Sequence, residues 1–160
     1  MTSLKKAFLV NILTIFILSS CQSTEELIHE TLIGQWVVEQ IDYKGQSMKD
    51  SVLVNFLSID DSIIEFPEFH QDRRNQPKTL PRENHKYKYL LDLNDGKRKL
   101  VVLGEHPVYS GNYDLKFFKD QERPLLMLEL ESSETRIILS KLLFGLGKEN
   151  LRKVRRILNE

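Results

Sequence analysis

The sequence predicts an all-β fold: an eight-stranded antiparallel up-and-down barrel, with a short helix before it and a second helix after it. Three observations lead to this prediction. Apolar and polar residues alternate along most segments between residues 32 and 142. Turn-forming residues separate these segments. A helix-start pattern precedes the region, and a helical spacing of apolar residues follows it.

Eight strands are expected in sequence order. The alternation is clearest in residues 86–93, 112–117 and 126–131, and weaker candidates are 32–43, 51–59, 62–66, 98–104 and 135–142. On the three clearest strands, the side chains expected to face the barrel interior are Tyr87, Tyr89, Leu91, Leu93, Tyr113, Leu115, Phe117, Leu126, Leu128 and Leu130. Most side chains between them are polar or charged, so each of these strands has one apolar face.

The connections between the strands are mostly short, with turn-forming residues at 60–61, 94–96, 105–110 and 132–134. Short connections favour antiparallel neighbours. Eight such strands can close into a small barrel with no open edge. A two-sheet sandwich is the alternative, because alternation alone does not prove closure. Residues 67–84 contain three prolines and are expected either to cover one barrel mouth or to form a surface loop.

Two helices are expected outside the strands. Ser23 and Glu26 fit a capping box at the start of a short amino-terminal helix. At the carboxyl end, Leu151, Val154 and Leu158 share one face at helical spacing. This second helix is expected to dock on the barrel with its charges in solvent, and contact with a membrane or an anionic partner is the alternative. The basic side chains that cover most of its remaining surface are Arg152, Lys153, Arg155 and Arg156.

Residues 1–20 have the features of a secretory signal peptide. Lys5 and Lys6 precede an apolar run at residues 7–18, and small residues follow it. The run is too short for a membrane-spanning helix, which needs about 20 apolar residues. Residues 18–21, Leu-Ser-Ser-Cys, resemble the bacterial lipobox and contain the chain's single cysteine. This resemblance implies cleavage before Cys21, a diacylglycerol on its sulfur and acylation of the new amino terminus.

The chain is therefore expected to have three parts: a signal peptide at 1–20, a lipid anchor with a short tether at 21–29, and a barrel domain with its terminal helix at 30–160. Cleavage removes two of the 23 basic residues and none of the 23 acidic residues, which leaves a formal charge of −2. That balance argues against nucleic-acid binding.

The expected location is the cell envelope, as an outer-membrane lipoprotein held by the anchor at Cys21. Glu25 and Glu26 follow this anchor closely. They loosely resemble the acidic export signals of surface lipoproteins in the Bacteroidota. The periplasmic and surface faces of the membrane both stay open.

The first strand contains a Gly-x-Trp sequence at Gly34 and Trp36, within residues 32–36. It resembles the opening motif of the lipocalin family, and residues 110–115, 126–131 and 136–141 are similar to the closing strands of lipocalin-like domains in bacterial lipoproteins. The resemblance implies that Gly34 lies at the barrel floor and that Trp36 plugs it. It also implies that a basic residue of the last strand packs on the tryptophan, with Arg136 and Lys141 as the two candidates.

The lipocalin-like resemblance implies binding of a small apolar ligand inside the barrel. Residues with apolar bodies and a few polar ends suit such a pocket. The alternative is an envelope interaction protein without a ligand, because an eight-stranded barrel can be filled by its own side chains. The candidate residues lining the ligand pocket are Val54, Phe56, Tyr87, Tyr89, Leu91, Tyr113, Leu115 and Phe117.

No catalytic, metal or cofactor site is expected, so the protein is not expected to be an enzyme. His29, His70, His85 and His106 are scattered and lack the close ligand spacing of a metal site. No phosphate-binding loop, dinucleotide fingerprint or Gly-x-Ser-x-Gly motif occurs. A cysteine that carries lipid cannot act as a catalytic thiol. The sequence identifies no protein partner.

Overall fold

A computed structural model of the chain describes residues 24–70, 85–143 and 148–159. Four features predicted from the sequence lie outside these ranges. They are the signal peptide at 1–20, the lipidation site Cys21, Ser23 of the predicted capping box, and residues 71–84 of the proline-rich connection.

The described residues form a closed antiparallel β-barrel with a helix on either side of it in the sequence. Eight strands make the barrel, and β2 is a two-residue extension that pairs with the end of β1. The strands are β1 Gly34–Tyr43, β2 Gln46–Ser47, β3 Phe56–Ile59, β4 Ile63–Glu65, β5 Lys86–Asp92, β6 Lys99–Leu103, β7 Gly111–Lys119, β8 Leu125–Glu131 and β9 Thr135–Leu142. The predicted all-β, eight-stranded barrel is confirmed.

The barrel is closed by pairing of its first and last long strands. From β3 to β9, each strand is hydrogen-bonded to the next one in the sequence, so the topology is up-and-down. β1 pairs with β9 from Val37 opposite Ser140 to Tyr43 opposite Thr135, with a bulge between Val38 and Gln40. This pairing excludes the two-sheet sandwich.

Two helices cover one end of the barrel, which we call the helix end. They are α1 Thr24–Leu32 and α2 Lys148–Asn159. α2 packs on α1 and on β7. Lys153 Nζ lies 2.7 Å from Glu30 Oε2, and Arg98 Nη1 donates to the carbonyl of Ile157 at 3.3 Å. The predicted docking of α2 on the barrel by its apolar face is confirmed, because Val154 and Ile157 are buried in the core.

The folded unit begins earlier than the sequence predicted. Leu27 and Ile28 are buried, and both belong to the apolar core. They lie one turn of α1 before Leu32, which is fully buried against the barrel. The predicted tether at 21–29 is therefore too long, because ordered and buried structure is present from α1 onward.

The sequence predicted the wrong inward-facing side chains for one strand. Sequence residues 51–59 were expected to turn Val54 and Phe56 inward, but β3 contains only Phe56–Ile59. Leu57 pairs with the inward-facing Trp36 and is buried, so its neighbour Phe56 points outward and is exposed, as is Val54. A strand has a side-chain period of two, so a shift of one residue exchanges its two faces.

Candidate functional site

The floor of the barrel at the helix end is built around Trp36. The ring is fully buried, and its Nε1 donates to the carbonyl of Leu32 at 2.7 Å. Lys141 Nζ lies 5.2 Å from the ring centroid and donates to the carbonyl of Ile33 at 2.7 Å. Burial lowers the pKa of Lys141. Of the two candidates, Lys141 is thus the basic residue that packs on the tryptophan.

Gly34 makes this approach possible. Its φ is +119°, and a Cβ on this residue would lie 3.0 Å from Lys141 Nζ. Arg136, the other candidate, instead pairs with the carboxylate of Glu129, which is buried on the outer face of β8. Gly34, Trp36 and Lys141 therefore form one unit, in which the glycine leaves space for the lysine that covers the ring.

Six of the predicted lining residues pack into the barrel core. Tyr89, Tyr113, Leu115 and Phe117 are at most 7% exposed. Tyr87 and Leu91 are partly buried against the same core. Interior side chains of the facing strands β8 and β9, such as Leu128 and Leu139, have no exposed surface. The interior positions are correctly predicted, and their burial indicates a filled core.

Two buried tyrosines of the predicted lining, Tyr113 and Tyr89, donate their hydroxyl protons to backbone carbonyls. Tyr113 donates to Val108 at 3.0 Å, and Tyr89 donates to Asp60 at 2.8 Å. Burial raises the pKa of Tyr113 to about 12. Burial, together with the nearby carboxylates of Asp61 and Asp60, also raises the pKa of Tyr89 to about 12. These phenols therefore act as hydrogen-bond donors at neutral pH.

The opposite end of the barrel, which we call the loop end, is closed by residues 48–53, 66–70 and 104–110. Tyr109 is its centre: its ring stacks on Phe66, His106 and Phe69 at centroid distances of 4.3, 4.7 and 5.2 Å. Its hydroxyl donates to the carbonyl of Pro67 at 2.7 Å. His85 packs edge-on against His106 at 5.2 Å. The loop end is therefore sealed by stacked rings.

A groove of about 400 Å³ opens on the outer wall of the barrel beside the loop end. We call it the outer groove. Its polar floor follows the strand register, because Gln35 pairs with Ser58 and Ser58 pairs with Glu65. The Leu53 amide donates to the carbonyl of Glu68 at 2.8 Å, which joins the two segments around the groove. The remaining lining residues are Val54, Phe56, Phe66, Pro67 and His85.

Two of the predicted lining residues belong to this groove, on the outer side of the barrel wall and not on the predicted inner side. Val54 and Phe56 are 55% and 57% exposed, and they border the outer groove. The polar floor carried no sequence signal of its own, because Gln35, Ser58 and Glu65 come from three different strands. Correct register between β1, β3 and β4 was needed to bring them into one row.

A second, shallower depression lies between α1 and β5 at the helix end. Its volume is about 620 Å³, and it is lined by Glu25, Glu26, His29, residues 61–62 and residues 89–91. His29 Nε2 lies 3.3 Å from the carbonyl of Asp61. Throughout residues 24–70, 85–143 and 148–159, no three metal-ligating side chains come close enough to hold an ion.

Comparison of the chain with models of known families, with curated proteins and with solved structures finds no match. The helices in the described part of the chain are too short or too polar to cross a membrane. The fold defines the class of protein: a small antiparallel barrel, filled by its own side chains and covered at one end by two helices.

Proposed function

We propose that this protein is a membrane-anchored lipoprotein of the cell envelope, with a lipocalin-like barrel that binds a small, partly apolar ligand in the outer groove. The proposed role is binding without catalysis. The observation that carries the proposal is a groove of about 400 Å³ with exposed apolar side chains beside a polar floor. Small-molecule sites usually have volumes of about 300–1,000 Å³, with a few polar groups that orient the ligand.

Support for the anchor comes from the amino-terminal sequence. The lipobox-like residues 18–21 place the single cysteine directly after a signal peptide. Several acyl chains at Cys21 hold a protein on a membrane stably, whereas one chain binds only marginally. α1 begins at Thr24, so the barrel is only a short distance along the chain from the anchor. We assign the protein to the outer membrane on the same resemblance.

Support for the lipocalin-like assignment comes from the floor of the barrel. Gly34, Trp36 and a basic residue of the last strand were expected to meet there, and Lys141 packs on the buried tryptophan. A Gly-x-Trp sequence alone is short and common. Its combination with this packing and with an up-and-down barrel of eight strands strengthens the resemblance.

The outer groove is favoured over the barrel interior as the ligand site for a physical reason. The interior candidates are already packed against one another, so a ligand there would have to displace core side chains. Val54 and Phe56 instead expose more than half of their surfaces. Covering them with a ligand removes apolar surface from water, at about 25 cal/mol per Å².

The groove also indicates what the ligand looks like. Glu65, Ser58 and Gln35 place hydrogen-bond acceptors along the floor, and Glu65 is paired with Lys86 at 3.4 Å. Phe56 and Val54 supply the apolar border. The expected ligand therefore has an apolar body and at least one hydrogen-bond donor.

The test is native mass spectrometry of the protein purified from its own membrane, compared with the same protein after denaturation. A covalent anchor at Cys21 stays in both spectra, whereas a ligand of the groove disappears on denaturation. Phe56→Asp is expected to abolish the ligand mass. Leu90→Asp, at a position of equal exposure on another part of the barrel wall, is the matched control and is expected to retain it.

A second candidate function, an envelope interaction protein without a ligand, is favoured by a different surface. Ile63, Leu90 and Leu103 lie on the outer face of neighbouring strands and are all exposed. Exposed apolar patches of this kind often bind proteins. If native spectra contain no ligand and Leu90→Asp removes a crosslinked partner that Phe56→Asp retains, this second function replaces the first.

A further inference from the structure

We propose that the exposed basic face of α2 rests on anionic phospholipid and thereby orients the barrel on the membrane. The inference rests on the proposed anchoring through Cys21 and adds a second, non-covalent contact to it. The basic face consists of Arg152, Arg155 and Arg156, whose side chains are exposed.

The two faces of α2 are chemically separate. Val154 and Ile157 are buried against α1 and the barrel. Arg152 and Arg156 are one helical turn apart on the side that points away from that core, and Arg155 lies beside them. Lys153 is already paired with Glu30 at 2.7 Å. Among the side chains that the structure describes, no carboxylate forms an ion pair with the three arginines.

The start of α1, which follows the proposed anchor in the sequence, and the basic face lie at the same end of the molecule. Thr24, the first residue of α1, follows Cys21 by three residues, which span at most about 11 Å when extended. From Thr24 to Glu30, α1 advances about 9 Å. Glu30 contacts α2 through Lys153. The arginines of α2 are thus held within a short distance of the membrane to which Cys21 would be attached.

The distribution of charge at the helix end favours one orientation of the barrel on the membrane. Glu25 and Asp61 border the shallow depression between α1 and β5, which none of the three arginines lines. An anionic bilayer repels this acidic side and attracts the arginines, so the barrel is expected to tilt until α2 faces the lipid. Guanidinium groups suit phosphate oxygens because they can donate two parallel hydrogen bonds. Such attraction acts within about a Debye length, roughly 8–10 Å in physiological salt.

The test uses the mature chain, residues 21–160, with Cys21 left unacylated, so that binding does not depend on whether the cell attaches lipid. Its flotation with phosphatidylcholine vesicles is compared with flotation with vesicles that also contain phosphatidylglycerol. Binding is expected only to the second kind and is expected to weaken as salt is added. The variant carries Arg152→Gln, Arg155→Gln and Arg156→Gln. Its binding constant is expected to fall about a hundredfold, because each basic group near an anionic surface contributes about fivefold.

The matched control removes the same number of positive charges elsewhere. The control variant carries Lys49→Gln at the loop end, and Lys88→Gln and Lys116→Gln on the barrel wall. They are expected to leave binding within about threefold of the wild type. Far-ultraviolet circular dichroism and thermal unfolding check that both triple variants are folded. Equal losses in the two triple variants would overturn the inference, as would an absence of wild-type binding at low salt.

The outcomes separate this inference from the proposed function. One outcome is that vesicle binding depends on the arginines but the protein isolated from cells carries no acyl chain. This outcome would reject the proposed lipid anchor and support the proposed contact between α2 and phospholipid. If the protein isolated from cells is lipidated but vesicle binding does not depend on the arginines, the proposed anchor is supported and the proposed contact of α2 with phospholipid is rejected. Crosslinks from α2 to an acidic protein, without any effect of phosphatidylglycerol, would identify a protein partner and overturn the assignment to lipid.

Discussion

The two ends of the barrel are closed in different ways. At the helix end, Trp36 bonds to the carbonyl of Leu32, four residues earlier in the sequence, and α1 and α2 cover the floor. At the loop end, Tyr109 bonds to the carbonyl of Pro67, which is 42 residues away, and stacks on Phe66 and Phe69 of the same distant segment. The helix end is therefore closed by regular secondary structure, whereas the loop end is closed by irregular segments held by side chains.

This difference corresponds to two proposed kinds of contact: with phospholipid at the helix end and with a small ligand beside the loop end. At the helix end, the described surface carries charged side chains of α1 and α2, among them Glu30, Lys153 and Arg156. The loop end has the outer groove beside it, where Val54 and Phe56 stay exposed between segments tied by only a few hydrogen bonds. Binding residues are commonly carried on loops that a rigid scaffold positions.

The largest effect is expected at the helix end, from Trp36→Ala. Loss of this fully buried ring is expected to lower the free energy of unfolding by about 3–5 kcal/mol, because a large cavity remains. Val37→Ala, next to it on the outer face, is the control and is expected to cost less than about 1 kcal/mol. Urea denaturation measures both. Similar costs for the two variants would contradict the described floor.

Alkaline pH is expected to destabilise both ends through buried tyrosines. The pKa values of Tyr113, towards the loop end, and Tyr89, towards the helix end, are raised from 10.0 to about 12. The folded state keeps these protons while the unfolded state loses them. Stability is therefore fully present below pH 10 and falls between pH 10 and 12, by about 2–3 kcal/mol for Tyr113 and by less for Tyr89, whose hydroxyl is nearer to solvent.

Tyr113→Phe and Tyr89→Phe separate the two contributions. Each is expected to flatten part of the alkaline decline in the free energy of unfolding, measured by urea denaturation across that pH range. A decline that is unchanged in the double variant would show that other groups cause it. Because the Tyr113 hydroxyl is the more deeply buried, its replacement is expected to have the larger effect.

Glycine-to-alanine substitutions compare how much a positive φ contributes to stability at the two ends of the barrel. Gly34→Ala is expected to cost about 2 kcal/mol, because it adds strain at positive φ and also pushes Lys141 off Trp36. Gly111→Ala, at the start of β7, has a similar φ of +141° but no heavy atom within 4 Å of the added Cβ. It is expected to cost about 1 kcal/mol from strain alone. Equal costs would mean that the contact with Lys141 contributes little.

The smallest effect on stability is expected at the outer groove. Phe56→Ser is expected to change the free energy of unfolding by less than about 0.5 kcal/mol, because the side chain is largely exposed. Thermal unfolding provides the measurement. A cost above about 2 kcal/mol would instead favour the inward position that the sequence predicted for Phe56. This result would also remove the apolar border of the proposed ligand site.

The fold was largely predictable because its signals are local. Alternation along residues 86–93 and 112–117 needs only the neighbouring residues to be recognised, and both segments form strands with the expected interior residues. The helical spacing of Leu151, Val154 and Leu158 is local in the same sense. Each pattern reflects one buried face and one solvated face of a single element.

The candidate site was less predictable because it depends on pairing between elements. In residues 51–59, apolar side chains occur at both odd and even positions, so the sequence does not decide which face is buried. Pairing of Leu57 with Trp36 decides it. The choice of Lys141 over Arg136 also depends on strand register and on Glu129, which holds Arg136 on the outer face.

Closure of β1 on β9 has a consequence for how the chain folds. The first strand of the barrel pairs with the last, across about a hundred residues of sequence. Until β9 is present, β1 keeps an exposed edge that can pair with other chains. Such non-local pairing slows folding, often to milliseconds or seconds in all-β domains. A growing chain therefore carries an aggregation-prone edge until its final strands emerge, and the completed barrel then removes it.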